Sequence, residues 1–387
     1  MTLKVPYDPA VLPAGVRSRF VDNSNGLEMH VLEAGFETAG RPAILLLHGF
    51  PELAFSWRKV MPILANSGYH VIAPDLRGYG RTLGWGPVSY DDDLGSFRLL
   101  NTVRDALGIL RACGHETAAA IVGHDYGSSV AAWSALVRPD VFKSCVLMSA
   151  PFDGPPDLPA ATTEATTAPI GPDIHQAMAA LERPRKHYHW YYSTRPANTD
   201  MTECPQGLHD FLRAYYHHKS ADWNPNKPHK LEAWRADQLA LMPTYYIMDL
   251  ADTMPQAVAR EMPSPAEIVA NTWLPDDELA VYVAEYTRNG FQGGLNWYRR
   301  GTTGFDTAEQ QIFAGRTIDV PSCFISGTSD WGVYQRPGVA ETMRGTVCTN
   351  MLGFHLVTGA GHWVQQEQPE EASRLLLAFL REVGPKR

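Results

Sequence analysis

Five residues, Gly123-His124-Asp125-Tyr126-Gly127, restrict this chain more than any other stretch. They follow a small apolar run, Ala118-Ala119-Ala120-Ile121-Val122. Behind them Ser128-Ser129-Val130-Ala131-Ala132-Trp133 reads as the opening of a helix. A strand that passes into a helix through so sharp a turn has no room for side chains at 123 and 127, and glycine tolerates the strain. Such a turn lifts its central residue clear of the end of a sheet strand, where a reacting group is wanted.

That central residue is a carboxylate, which narrows the chemistry. A serine attacking saturated carbon would leave an ether that water does not readily cleave. Aspartate leaves an ester that water can cleave. Aspartate is also ionised near neutral pH and needs no base to activate it. The motif therefore points to displacement at saturated carbon followed by ester hydrolysis. Ser128 and Ser129 lie past the turn and do not take its central place.

At 387 residues the chain can bury a large core. Its net charge of -9 is mild and spread out, with no basic run and no acidic tail, which argues against nucleic acid and anionic membrane as partners. Residues 1–16 carry Pro6, Asp8 and Pro13 and do not read as a signal peptide, and no later stretch is long and apolar enough to span a bilayer. Five scattered cysteines fit reduced thiols in cytoplasm better than a disulfide framework. The histidine pairs His187/His189 and His217/His218 lack the spacing and cysteine companions of a zinc site, so no metal and no cofactor are expected.

Along the chain, 42–47 is continuously apolar, the mark of a strand buried on both faces of a parallel sheet. A helix over 55–66, a strand over 69–73, a helix over 97–113, the strand and helix around Asp125 and a strand over 145–149 follow. The alternation predicts a mostly parallel, doubly wound α/β sheet. Residues 151–173, rich in Pro, Ala and Thr, read as a loop. From 175 to 298 the chain reads as helical and aromatic with no strong strand, an inserted lid. Strands return at 322–326 and 354–358, and a helix over 369–383 closes the chain. The implied division is a core over 1–150, a cap with its preceding loop over 151–305, and a second part of the core over 306–387.

Two loops after the late strands carry partners for Asp125. Gly327-Thr328-Ser329-Asp330-Trp331 offers an acid and Gly359-Ala360-Gly361-His362-Trp363 a base. In the order nucleophile, acid, histidine, His362 would take a proton from water and Asp330 would orient its ring. Asp153 is the rival acid, at the end of the strand that follows the elbow. Backbone N–H groups of Phe50 and Tyr126 would form the oxyanion hole.

With these residues in view, the chain resembles the soluble epoxide hydrolases of the α/β-hydrolase superfamily. The resemblance rests on HGFPE at 48–52, DLRGYG at 75–80, GHDYG at 123–127, the GHW around His362, and a lid segment ending in LNWYR at 295–299. It spans about residues 18–379. It implies an α/β-hydrolase fold with a helical cap, and two cap tyrosines that grip the epoxide oxygen. One is Tyr298. The other opens a short aromatic run, here Tyr188-His189-Trp190-Tyr191-Tyr192, which gives the role to Tyr188 with Tyr191 and Tyr192 as alternatives. An alkoxide is far more basic than a phenolate of pKa about 10, so tyrosine hydroxyls can protonate it. The family usually has tryptophan after the nucleophile where this chain has Tyr126, which alters that side of the pocket.

A dehalogenase of the same fold is the first alternative. It would want N–H donors for a halide where this chain has Tyr126 and Phe50. A non-catalytic ligand-binding protein would be expected to have lost one of the three triad positions. The reading is thus hydrolysis of a small apolar epoxide to a vicinal diol, without cofactor, in the cytoplasm, by a monomer or homodimer. Trp190, Tyr192, Phe291 and Trp363 are the expected pocket walls.

Overall fold

A five-residue run with every side chain apolar, Ala43–Leu47, is stable only when both of its faces are covered. The computed structural model, which describes residues 4–86, 89–159 and 173–384, covers them both. Ile44 and Leu46 join an apolar cluster on one side of the sheet, and Leu45 and Leu47 join the cluster on the other. The sheet has eight strands: β1 Val16–Asp22, β2 Glu28–Ala34, β3 Ala43–Leu47, β4 His70–Pro74, β5 Ala118–His124, β6 Cys145–Met148, β7 Ser322–Gly327 and β8 Met351–Val357. Their spatial order is β1-β2-β4-β3-β5-β6-β7-β8. Only β2 runs against its neighbours; from β4 to β8 the pairing is parallel.

This order fixes where chemistry can happen. From β3 the chain steps outward to β4, then returns across β3 to build β5 and the rest. The reversal opens a crevice between the carboxyl ends of β3 and β5. The loop after β3 starts at His48, and Asp125 directly follows β5. Helices Leu99–Ala112 and Tyr126–Val137 cover one face, and Met61–Asn66 and Pro369–Val383 cover the other.

Two local readings of the sequence needed correction, and one strand pair had gone unread. The helix expected over 55–66 is a 3-10 turn, Ala54–Trp57, followed by a separate helix, Met61–Asn66, because Pro62 fits only at the start of a helix. The antiparallel pair β1–β2 carries no clear apolar signal, since the outer strand alternates Arg17 and Arg19 with Ser18. Both arginines bond to the buried Glu33 on β2. The segment inserted between β6 and β7 is mainly helical but holds a two-stranded antiparallel ribbon, Arg185–His187 with Ile247–Asp249. The loop expected over 151–173 has no regular structure from 151 to 159, and positions 160–172 lie outside the described residues.

The inserted cap is seated on the core at a glycine-to-glycine contact. A Cβ on Gly293 would lie 2.1 Å from the Gly78 carbonyl oxygen, and one on Gly78 would lie 2.6 Å from that of Gly293. The Trp297 Nε1–H donates to the Arg77 carbonyl at 2.9 Å. The helix Gln292–Thr303 is thereby locked to the loop after β4, and Tyr298 is carried on that helix. Among the described residues no helix is long and apolar enough to cross a membrane.

Candidate active site

The turn after β5 holds Asp125 at φ 53° and ψ -118°. Such positive-φ strain in a non-glycine residue persists only where the surroundings enforce it. Here they do. A Cβ on Gly123 would lie 1.9 Å from the Gly127 carbonyl oxygen, so the two arms of the turn meet where only glycine fits. The strained angle sits on the aspartate itself, whereas the glycines supply the space. Gly49 serves the same end, since a Cβ there would lie 2.3 Å from that of Asp125.

The carboxylate is divided between two kinds of neighbour. Oδ1 accepts a hydrogen bond from the Phe50 N–H at 3.0 Å. Oδ2 faces the His362 Nε2 at 3.4 Å. Among the described residues the Tyr126 N–H makes no hydrogen bond to this carboxylate, so one of the two expected oxyanion donors engages it in this structure. Burial pushes the Asp125 pKa up, but the neighbouring His362, with Lys219 and His124, outweighs it and holds the group below the usual carboxylate range. Asp125 is an anion throughout the neutral range.

His362 is set by its partners. Its Nδ1 lies 3.1 Å from Asp330 Oδ1. Asp330 is buried and also accepts from the Ser326 hydroxyl at 2.8 Å and the Gly332 N–H at 2.7 Å. Burial raises the Asp330 pKa, yet the His362 charge and these donors bring it below the ordinary value. Asp153, the rival acid, is exposed and paired with Arg336, so it does not reach His362. The His362 backbone is pinned as well. Its N–H donates to the Lys219 carbonyl at 2.9 Å, and its carbonyl accepts from His124 Nε2 at 2.7 Å. His124 gives its other nitrogen to Glu52 at 2.5 Å, and donation from both ring nitrogens makes it an imidazolium. Glu367 accepts from the Gly361 and Trp363 N–H groups, both at 2.9 Å, and clamps the loop on either side of His362.

Tyr188 and Tyr298 come from the cap, at the start of the helix Tyr188–Tyr192 and within Gln292–Thr303. Their rings are 5.9 Å apart, edge to face. Tyr298 stands on Tyr126 at 4.7 Å and on Phe50 at 5.4 Å, above the two residues that flank the carboxylate. Its hydroxyl bonds to no described residue. The Tyr188 hydroxyl donates to Gln335 Oε1 at 3.3 Å and lies 2.8 Å from His189 Nε2. A consistent orientation has the His189 N–H donating to the phenol oxygen. Burial, followed by the Asp125 charge and neighbouring tyrosines, raises both phenol pKa values well above normal. The alternatives to Tyr188 are otherwise engaged: the Tyr191 hydroxyl donates to Asp200 at 2.9 Å, and that of Tyr192 to Tyr215 at 3.3 Å.

In front of Asp125 lies a cavity of about 490 Å³, to which Tyr126, Trp133, Tyr188, His189 and Gln335 contribute. The four aromatic walls expected from the sequence do not line it. Trp190 points away, its ring against His175 and His187. Tyr192 and Phe291 stand one layer back, against Phe50 at 5.1 and 6.0 Å. Trp363 is buried behind His362, with its Nε1–H on the Tyr216 carbonyl at 2.8 Å. Among the described residues no cluster of acids, histidines and cysteines suits a metal, and all five cysteines are free.

Lys219 was not singled out by sequence reasoning. It ends the helix Gly207–Lys219, where a surface cation is ordinary, yet only 2 % of it is exposed. Its ammonium lies 4.9 Å from the Tyr246 ring, 5.2 Å from Trp363, 5.4 Å from Tyr215 and 5.8 Å from Tyr245. This aromatic cage holds a cation close enough to favour the ionised form of Asp125. No spacing signal in the sequence announces it.

The fold and the elbow together define a class, the α/β hydrolases, here with an aspartate at the centre of the elbow. Residues 42–174 match a family described as the alpha/beta hydrolase fold. Over 366 residues the chain is 33% identical to epoxide hydrolase A of Mycobacterium tuberculosis, covering 94% of this chain and 96% of that protein. It is 31% identical to an epoxide hydrolase of Caballeronia sordidicola, covering 93% and 92%. An epoxide hydrolase structure from an endophytic Streptomyces superposes with a TM-score of 0.73 at 29% identity, covering 96% and 97% of the two chains. The chain belongs to the epoxide hydrolase family.

Proposed function

We propose that this protein opens epoxides to vicinal diols through an ester on Asp125. The observation that carries this reading is the division of the carboxylate, with Oδ1 on the Phe50 N–H and Oδ2 facing His362, beside a cavity that Asp125 shares with Tyr188.

In the first step Asp125 Oδ2 attacks a ring carbon from behind, and the bond from that carbon to the epoxide oxygen breaks. The Tyr188 hydroxyl gives its proton to the alkoxide while Tyr298 donates a hydrogen bond to the same oxygen. The His189 N–H steadies the tyrosinate left behind. In the second step His362 takes a proton from water, and the hydroxide adds to the Asp125 carbonyl carbon. The negative oxygen sits on the Phe50 N–H, joined by the Tyr126 N–H as the carbon becomes tetrahedral. Collapse releases the diol oxygen, which takes the proton from His362. The proton of the regenerated carboxylic acid returns to the tyrosinate. The balance is one epoxide and one water for one diol.

Raised phenol pKa values suit Tyr188 and Tyr298 to this work, since both stay protonated until an alkoxide forms. The test is His362→Gln with styrene oxide, followed by intact mass. The mass of one substrate should be retained on the protein. Its absence, in a folded variant that still consumes epoxide, would sink the two-step scheme.

A further inference from the structure

The cavity carries polar and charged side chains beside its aromatic ones, and Arg300 is the deeply buried cation among them. Arg300 lies on the cap helix Gln292–Thr303, lines the cavity with Asp125, Tyr126 and Trp133, and is only 7 % exposed. Its Nη1 donates to both carboxylate oxygens of Asp306, at 3.0 and 3.2 Å. Asp306 is fully occupied by this pairing, because it also accepts from the Leu99 N–H at 2.6 Å and from Gln310 Nε2 at 2.8 Å. The remaining edge of the guanidinium, Nε and Nη2, donates to no described residue.

A guanidinium buried this deeply is costly unless its donors are matched. Its shape matches a carboxylate or a similar oxyanion along one edge. The ion pair to Asp306 fixes the plane of the group before any ligand arrives, so little freedom is lost on binding. Tyr126 and Trp133 give the same lining an aromatic part beside this cation and Asp125. The other acids on the lining are Asp153, already paired with Arg336, and Asp157, which is exposed.

We propose that the preferred substrates are epoxides with an apolar body and a carboxylate at the far end, the carboxylate held by the free edge of Arg300 while the epoxide ring lies over Asp125. This specificity rests on the epoxide-opening reading of Asp125. It replaces a purely apolar substrate by an amphipathic one.

The test compares styrene oxides bearing a para-carboxylate, carboxymethyl or carboxyethyl group, each against its primary amide. At least one carboxylate should exceed its amide in kcat/KM by roughly 10-fold or more, as a charge-assisted hydrogen bond implies. Arg300→Gln should reverse or erase that ratio, and Arg300→Lys should keep part of it. Should the Arg300 variants fail to fold, the wild-type protein still decides. Para-ethylbenzoate should inhibit styrene oxide turnover more strongly than para-ethylbenzamide. Equal kcat/KM within all three pairs and equal inhibition, with styrene oxide still converted, would overturn the carboxylate proposal alone. No diol from any epoxide would overturn the underlying reading as well.

Discussion

Asp125, His362 and Asp330 stand on the ends of core strands, and most of their polar atoms meet a backbone N–H, a backbone carbonyl or each other. Tyr188 and Tyr298 stand in the cap and are held chiefly by rings, at 4.3 to 5.9 Å from their aromatic neighbours. The contrast follows from what each half must do. Charges in a buried site need fixed dipoles, because an unpaired one is expensive. A phenol that first donates and then carries charge needs room to move toward the substrate. Both halves keep some buried polar atoms unpaired among the described residues; in the cap, His218 is buried with neither ring nitrogen bonded.

The sharpest way to break this comparison is to unsettle the core half. Asp330→Asn keeps the size of the side chain but removes the charge that orients and stabilises protonated His362. It should lower kcat by roughly 10²–10⁴-fold. The loss should fall on ester hydrolysis, so that a burst of epoxide consumption precedes a slow steady state. A uniform slowing without a burst would mean that Asp330 serves ring opening.

In the cap the effects should be smaller and unequal. Tyr188→Phe should slow ring opening by roughly 10²-fold, because the His189 N–H supports the tyrosinate at that position. Tyr298→Phe should cost less, about 10-fold, since its hydroxyl only shares the oxygen. Single-turnover rates decide, and the opposite order would exchange the two roles.

The smallest effect concerns stability. Burial pushes the His218 pKa down from 6.5 to about 3. The unfolded chain takes up the proton near its ordinary value and the folded one resists it. The contribution is therefore complete above that ordinary value and is lost as pH falls toward the folded value. At about pH 5 the loss amounts to about 2 kcal/mol. Urea unfolding of the parent and of His218→Phe, near neutral and at that acidic pH, should show a smaller acid loss in the variant. Equal losses would mean that other groups govern acid stability.

The sequence made the elbow legible because few side chains can follow a strand into so tight a turn, and Asp330 and His362 followed from their order at later strand ends. Tyr188 and Tyr298 came from the resemblance rather than from any pattern of their own. The expected pocket walls failed for a geometric reason. Along a helix a residue two positions on faces the opposite side, so Trp190 turns away from Tyr188. Tyr192, four on, shares the face of Tyr188 but is spent on packing against it at 5.6 Å. Lys219 and Arg300 were not singled out because their burial is decided by segments distant in sequence. The edge strand β1 was hidden by its polar alternation, which is how an exposed edge avoids pairing with other chains.

The central claim is that the aspartate at the elbow becomes part of the ester. Single-turnover conversion of styrene oxide in ¹⁸O-labelled water tests it most directly. With enzyme in excess, the first diol should carry no label, and the label should appear in the peptide containing Asp125. Labelled diol in the first turnover, with an unlabelled peptide, would mean that water attacks the epoxide itself and would contradict the account.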